Sequence, residues 1–437
     1  MMPSRLCERA LHAARAAALL VATPLALSAQ TIAITGGKVY PVSGPPIENG
    51  TVVIRDGKIL AVGASVDVPN DAQRIDASGK WVTPGLINAA TQLGLVEIGA
   101  VAETREAYAR GRDNVAAAFT AWEGFNPASV MLAPAREDGI TSAVVVPGGG
   151  LIAGQAALID LVEGSTSDMI RRAPVAMVGQ VGASEQAGVS ARGELIVRMR
   201  ELLEDARTFS RRRTAYEAGD TRTFAASRLD LEALIPVVEG RLPLLLTADK
   251  ASDIEAALKL ARDFGLRLMI GGGAEAWMVA DKLATARVPV LTGAMNNIPG
   301  SFAALGTRQE NPALLRRAGV QLAIIGNAGG GDEEAFNARN VRFEAGNAVA
   351  YGLAWNDALR AVTLTPAEIF GVESRVGSLA AGRDANVVVW TGDPFEFATR
   401  AERVFIRGRE APRSSRQDML TERYKTLPPA YGAPKPR

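Results

Sequence analysis

Between residues 31 and 82 short apolar runs alternate with turn residues, in the segments IAITGGKVY, TVVIRDGKILAVG and RIDASGKWVTPG. Runs of this kind bounded by Gly, Asp and Asn predict strands. The Asp56 and Gly57 pair between two of them predicts a tight hairpin, because both residue types tolerate the positive φ that such a turn demands. Beyond residue 84 the texture changes. Buried-type runs GLINA (85–89), SAVVV (142–146), AALIDL (156–161), VAMVG (175–179), LLLTA (244–248), LRLMIG (266–271), VPVLTG (288–293) and LAIIGN (322–327) read as strands. Stretches with apolar residues at helical spacing lie between them, such as ELIVRMRELLEDARTFSRRR and SDIEAALKLARDFG, the second stopped by Gly265. Strands alternating with helices predict an α/β fold, and the eight runs suffice for a (β/α)8 TIM-like barrel.

After residue 372, GSLAAGRDANVVVWTG and RAERVFIRGRE return to strand texture. A small discontinuous β-sandwich domain built from both chain ends accounts for this. The expected boundaries are 30–83 and 372–410 for that domain and 84–371 for the barrel, with an extended tail over 411–437 that lacks apolar periodicity.

Residues 1–29 differ in kind. Arg5, Arg9 and Arg15 precede an apolar run over 16–27, and Ser28 and Ala29 supply small residues for cleavage, so this segment reads as a signal peptide and predicts a periplasmic or secreted protein. No later stretch has the length of a transmembrane helix, so no membrane span is expected. The 48 basic and 47 acidic residues nearly balance, which gives no source for phosphate neutralisation and argues against a nucleic-acid partner. Cys7 and His12, the one cysteine and the one histidine, both fall in the segment expected to be removed.

The segment VTPGLINAATQL (82–93) resembles the amidohydrolase superfamily, particularly its imidazolonepropionase-like members, which carry Pro-Gly-(Leu/Phe)-(Ile/Val)-Asp-x-His-x-His there. The segment 358–390, ALRAVTLTPAEIFGVESRVGSLAAGRDANVVVW, is similar to the same family, as is VVPGGGLIAGQ (145–155). The resemblance implies a barrel whose C-terminal mouth holds zinc or another divalent metal that acidifies a water for hydrolysis. It also implies ligands at positions where this chain carries other residues. Ala90 and Gln92 stand in the first-strand histidine slots, Val175 lies near the place of the fourth-strand carboxylated lysine, and Thr247 and Asp249 stand in the two histidine slots after the fifth strand. Gly272 takes the sixth-strand histidine slot, with Glu275 three residues on, and Asn327 takes the slot of the eighth-strand aspartate. Glycine at 272 would leave room for a larger pocket.

A neutral amide binds transition metals poorly and cannot accept the proton that a general base must take. These replacements predict a non-catalytic member of the family with no cofactor, acting as a small-molecule binder or as the partner subunit of an active relative, in a homo-oligomer or hetero-oligomer. The alternative is a hydrolase of carbon-nitrogen bonds that works through carboxylates such as Asp249, Glu275 or Asp332, with an oxygen-bound metal or none.

Overall fold

The computed structural model describes residues 31–109, 111–182, 191–295, 302–326, 333–413 and 415–426. The expected signal peptide, Asn327 and Asp332 lie outside the described residues. Among the described residues sixteen strands follow in chain order. β1 (Ile32–Val39), β2 (Ile47–Arg55), β3 (Lys58–Gly63), β4 (Gln73–Asp76) and β5 (Trp81–Pro84) come first. Then come β6 (Leu86–Thr91), β7 (Ile140–Val145), β8 (Ile152–Asp160), β9 (Ile170–Gln180), β10 (Leu244–Ala248), β11 (Leu268–Gly272), β12 (Val290–Thr292) and β13 (Leu322–Ile324). β14 (Val387–Trp390), β15 (Ala401–Ile406) and β16 (Arg409–Glu410) close the series.

The two chain ends build one eight-stranded sheet in the order β16-β15-β14-β5-β1-β2-β3, with β4 added beside β1. The expectation of a discontinuous β unit therefore holds, and all its strands are joined in one hydrogen-bonded network. The cause lies in β1. Its register shifts around Gly37, so its first half pairs with β4 and its second half with β5. Gly36 makes the bend at φ +78°, and a Cβ there would stand 2.8 Å from Ser78 Oγ. Ile34, Ile54, Val82, Val387 and Phe405, from strands on both sides of this change of partner, share one core. Asp56 and Gly57 make the predicted hairpin, both at positive φ.

The eight middle strands form the second sheet, in the order β13-β12-β11-β10-β9-β8-β7-β6, a nearly closed α/β barrel. All eight runs read from the sequence are strands, but β8 is antiparallel to both β7 and β9. The residues between β7 and β8 (146–151) are too few for the crossover that parallel neighbours need, and Gly149 and Gly150 turn the chain straight back at positive φ. At the open seam Ile87 donates its N–H to Val362 O at 2.8 Å, so the free edge of β6 is satisfied by the chain that follows the barrel. The interior is filled by Ile87, Val144, Leu158, Val178, Leu245, Met269 and Leu291, with Ile369 and Phe370 packed into the same cluster. The helix Ala251–Phe264 buries Ile254, Ala257, Leu260 and Phe264 and stops at Gly265 (φ +60°), where Leu266 N–H closes onto Ala261 O at 2.9 Å.

The tail expected to be extended contains a helix, Arg416–Tyr424, with no buried residue. Its start is fixed by a capping box in which Ser415 Oγ accepts from Asp418 N and Asp418 accepts from Ser415 N. Local capping supports this helix in place of an apolar face.

A buried ionic cluster welds the two units. Arg171 on β9 binds Asp160 at the end of β8 (2.5 Å) and Asp384 of the C-terminal segment (2.7 Å). Asp160 also takes Arg407 Nε at 2.6 Å and Ser142 Oγ at 2.7 Å, while Asp384 takes Arg375 at 3.0 Å and Lys58 at 3.1 Å. Among the described residues no helix is long and apolar enough to cross a membrane.

Candidate functional site at the barrel mouth

In barrels of this kind chemistry sits at the C-terminal ends of the parallel strands. At the end of β6, Ala90 packs on the barrel interior and offers no donor atom from its side chain. Gln92, 3% exposed, accepts a hydrogen bond from Tyr108 Oη at 3.1 Å. Its amide nitrogen lies against Gly148, where a Cβ would approach it to 2.8 Å. Asn88, which stands at the aspartate of the family motif, donates Nδ2 to Ala338 O at 3.0 Å and accepts from Ala90 N at 3.2 Å.

Val175 does not reach the mouth. β9 pairs Met177 with Leu244 and Gln180 with Thr247, so Val175 lies five residues below the rim. At about 3.3 Å per residue that is about 16 Å. Val175 is a buried part of the barrel core, and the residue at the level of Thr247 is Gln180, whose Nε2 donates to Gly150 O at 2.7 Å. Sequence reasoning missed Gln180, although the alternation Ala176, Val178, Gln180 carries the inward face up to it. Tyr108 was equally unreadable, because it reaches Gln92 from the irregular segment between β6 and β7.

Thr247 is exposed on β10 beside Gly271 of β11, and its Oγ1 lies 3.7 Å from the place of a Gly271 Cβ. Gly272 has φ +78°, and a Cβ there would meet Asp249 Oδ1 at 2.6 Å. The space beside the Gly272 Cα is thus taken by the Asp249 carboxylate. Burial pushes the Asp249 carboxyl above the ordinary carboxylate range, and the charges of Asp253 and Glu275 push it the same way against hydrogen bonds from the Ala274 and Gly273 backbone. Glu275 works as a strap. Its Oε2 accepts from Ala251 N (2.9 Å), the first residue of the helix Ala251–Phe264, and its Oε1 from Gly306 N (3.2 Å).

The site thus gathers Ala90, Gln92, Gln180, Thr247, Asp249 and Gly272 at the strand ends, and leaves out Val175. A catalytic zinc needs about three N, S or carboxylate ligands with an open position. The donor atoms here are two amides bonded to protein groups, a hydroxyl and one carboxylate facing backbone N–H groups. Among the described residues no group of three or more His, Cys, Asp or Glu is spaced to hold a metal ion. This set does not fit zinc.

The profile of the Amidohydrolase family matches residues 248–411. A solved amidohydrolase from Thermotoga maritima MSB8 aligns with 88% of this chain and 100% of its own, at a TM-score of 0.78 and 27% identity. An imidazolonepropionase from Acidiphilium cryptum (strain JF-5) is 24% identical over 80% of this chain and 89% of its own length. Amidohydrolase tasK from Hapsidospora irregularis is 24% identical over 83% of this chain, which spans only 39% of that protein. The barrel, the flanking sheet and these likenesses agree, and the chain belongs to the amidohydrolase superfamily.

Proposed function

We propose that this chain is a non-catalytic amidohydrolase, in which the metal site of the family has been lost and the barrel serves as a small-molecule binder or as the partner subunit of an active relative. The observation that carries the reading is the bonding of the mouth. Asn88, Gln92 and Gln180 are neutral amides held by Ala338 O, Tyr108 Oη and Gly150 O, so the positions nearest the implied ligands hold the protein together instead of facing an ion. A partner role is supported by the rim around Gly306, where Met278, Phe302 and Leu305 are all exposed. Residues 1–29 would direct the protein to the periplasm, which N-terminal sequencing of a periplasmic fraction checks.

One specific observation favours a second reading, that of a hydrolase of carbon-nitrogen bonds. A half-buried carboxyl with a raised pKa at a barrel mouth suits a general acid or base, and Asp249 is such a group.

Metal analysis of the purified protein separates the readings. The first expects well under one equivalent of zinc, manganese or magnesium per chain and no rise in melting temperature when those ions are added. Near-stoichiometric metal together with a raised melting temperature would sink it. Turnover of a cyclic amide or N-acyl amino acid that Asp249→Asn abolishes would establish the second.

A further inference from the structure

On the face opposite the mouth, the seam between barrel and sheet forms a half-open cleft of about 650 Å³. Its walls come from the β2–β3 hairpin, the residues that follow β8, and the strands β15 and β16. Arg136, on the short helix Leu132–Glu137, lines this cavity and a neighbouring one of about 270 Å³. Its side chain lies in a residue only 9% exposed.

Arg136 is poorly matched for a buried cation. Its one hydrogen bond among the described residues runs from Nη1 to Leu161 O, at 3.4 Å, and its Nε has no acceptor. Glu163 and Glu137 act on it only through space, while burial pushes its pKa down. The other seam arginines are answered, since Arg171 and Arg407 share Asp160 and Arg375 holds Asp384. A guanidinium carries five N–H donors in a planar fork, and the edge made by Nε and one terminal nitrogen accepts two oxygens of a carboxylate or phosphate side by side. With Nη1 turned to Leu161, that edge of Arg136 is without a protein acceptor among the described residues. Arg409, on β16, is an exposed cation on the wall of the same cavity.

We propose that this cavity is an anion site, taking a small molecule that bears a carboxylate or phosphate group, with the oxyanion on the Nε edge of Arg136 and Arg409 at the entrance. Its volume lies within the range of about 300–1,000 Å³ typical of small-molecule sites. Lys58, Arg375 and Arg407 on the walls are answered by Asp384 and Asp160, and Asp56, Glu163, Asp168 and Glu410 line the same cavity, so recognition of the anion rests on the Nε edge of Arg136 and on Arg409. The site is independent of the barrel mouth, so it stands whether or not the chain is catalytic.

Titration calorimetry on the full chain tests this, with inorganic phosphate and citrate as probes at matched ionic strength. The expected result is saturable binding of at least one probe with one site per chain. Arg136→Lys keeps the charge but removes the fork, and should weaken that binding about tenfold. Arg409→Ala alters an exposed residue and should weaken it about threefold with the fold intact, which decides the matter if Arg136→Lys folds poorly. Absence of saturable binding by both probes overturns the proposal. So does binding that both variants leave unchanged, which would place the anion elsewhere on the surface.

Discussion

Arg171→Met is expected to lower the unfolding free energy by about 3–5 kcal/mol, the typical cost of removing one partner from a buried ion cluster. The side chain of Arg171 is 7% exposed and answers two carboxylates at once, one from each unit. Without it Asp160 keeps Ser142 and Arg407, and Asp384 keeps Arg375 and Lys58, so both acids stay buried with fewer donors. Urea melts of the parent and the variant measure the loss. Arg403→Met is the control, because the Arg403 and Glu410 pair is more than a third exposed on both sides and should cost less than about 1 kcal/mol. Equal effects at the two positions would mean that the cluster does not weld the units.

The same cluster sets a pH dependence. Burial alone would raise the Asp384 pKa, but hydrogen bonds from Arg375, Arg171 and Lys58 outweigh it and hold the carboxyl down, to about 2. The folded value lies below the unfolded one, so the folded state binds fewer protons at moderately acid pH. This stabilisation, about 2 kcal/mol by linkage, is complete above pH about 4 and is lost as the pH falls through about 2. Asp384→Asn should therefore flatten the acid limb of stability against pH, and a limb of unchanged slope would contradict this assignment.

The fold was legible because its signals are local. Gly265 ends a helix and Asp56-Gly57 makes a hairpin through backbone conformations that few other residues take, and both can be read without knowing any distant contact. The direction of β8 was less plain, since an apolar run looks the same whichever way it points. Only the short glycine-rich connection over 146–151 carries that information. The site was legible as a set of replacements and illegible as a geometry. Gln92 and Thr247 could be placed from the motif, but Gln180 becomes visible only through the register of β9 on β10. Arg136 and the Asp160 cluster join segments far apart in the chain, and no spacing along the sequence announces them.

Restoring the family residue at a single position is expected to fail, and Gly272→His is the sharpest case. Two costs fall on the same atom. The backbone at 272 has φ +78°, a conformation that costs a residue with a side chain about 1–3 kcal/mol, and the new Cβ would meet Asp249 Oδ1 at 2.6 Å. Together they should destabilise the protein by about 2–4 kcal/mol in urea melts, with no zinc bound at micromolar concentrations. The pair Gly272→His with Asp249→Ala separates the two causes. If the contact with the carboxylate dominates, the second substitution recovers most of the loss, because its oxygen no longer stands where the Cβ must go. If the backbone dominates, little is recovered. A single variant as stable as the parent that also binds zinc would show that the loop after β11 readily takes up a ligand-bearing conformation, and the proposed absence of a metal site would then rest on side-chain identity alone, with no part played by the path of the chain.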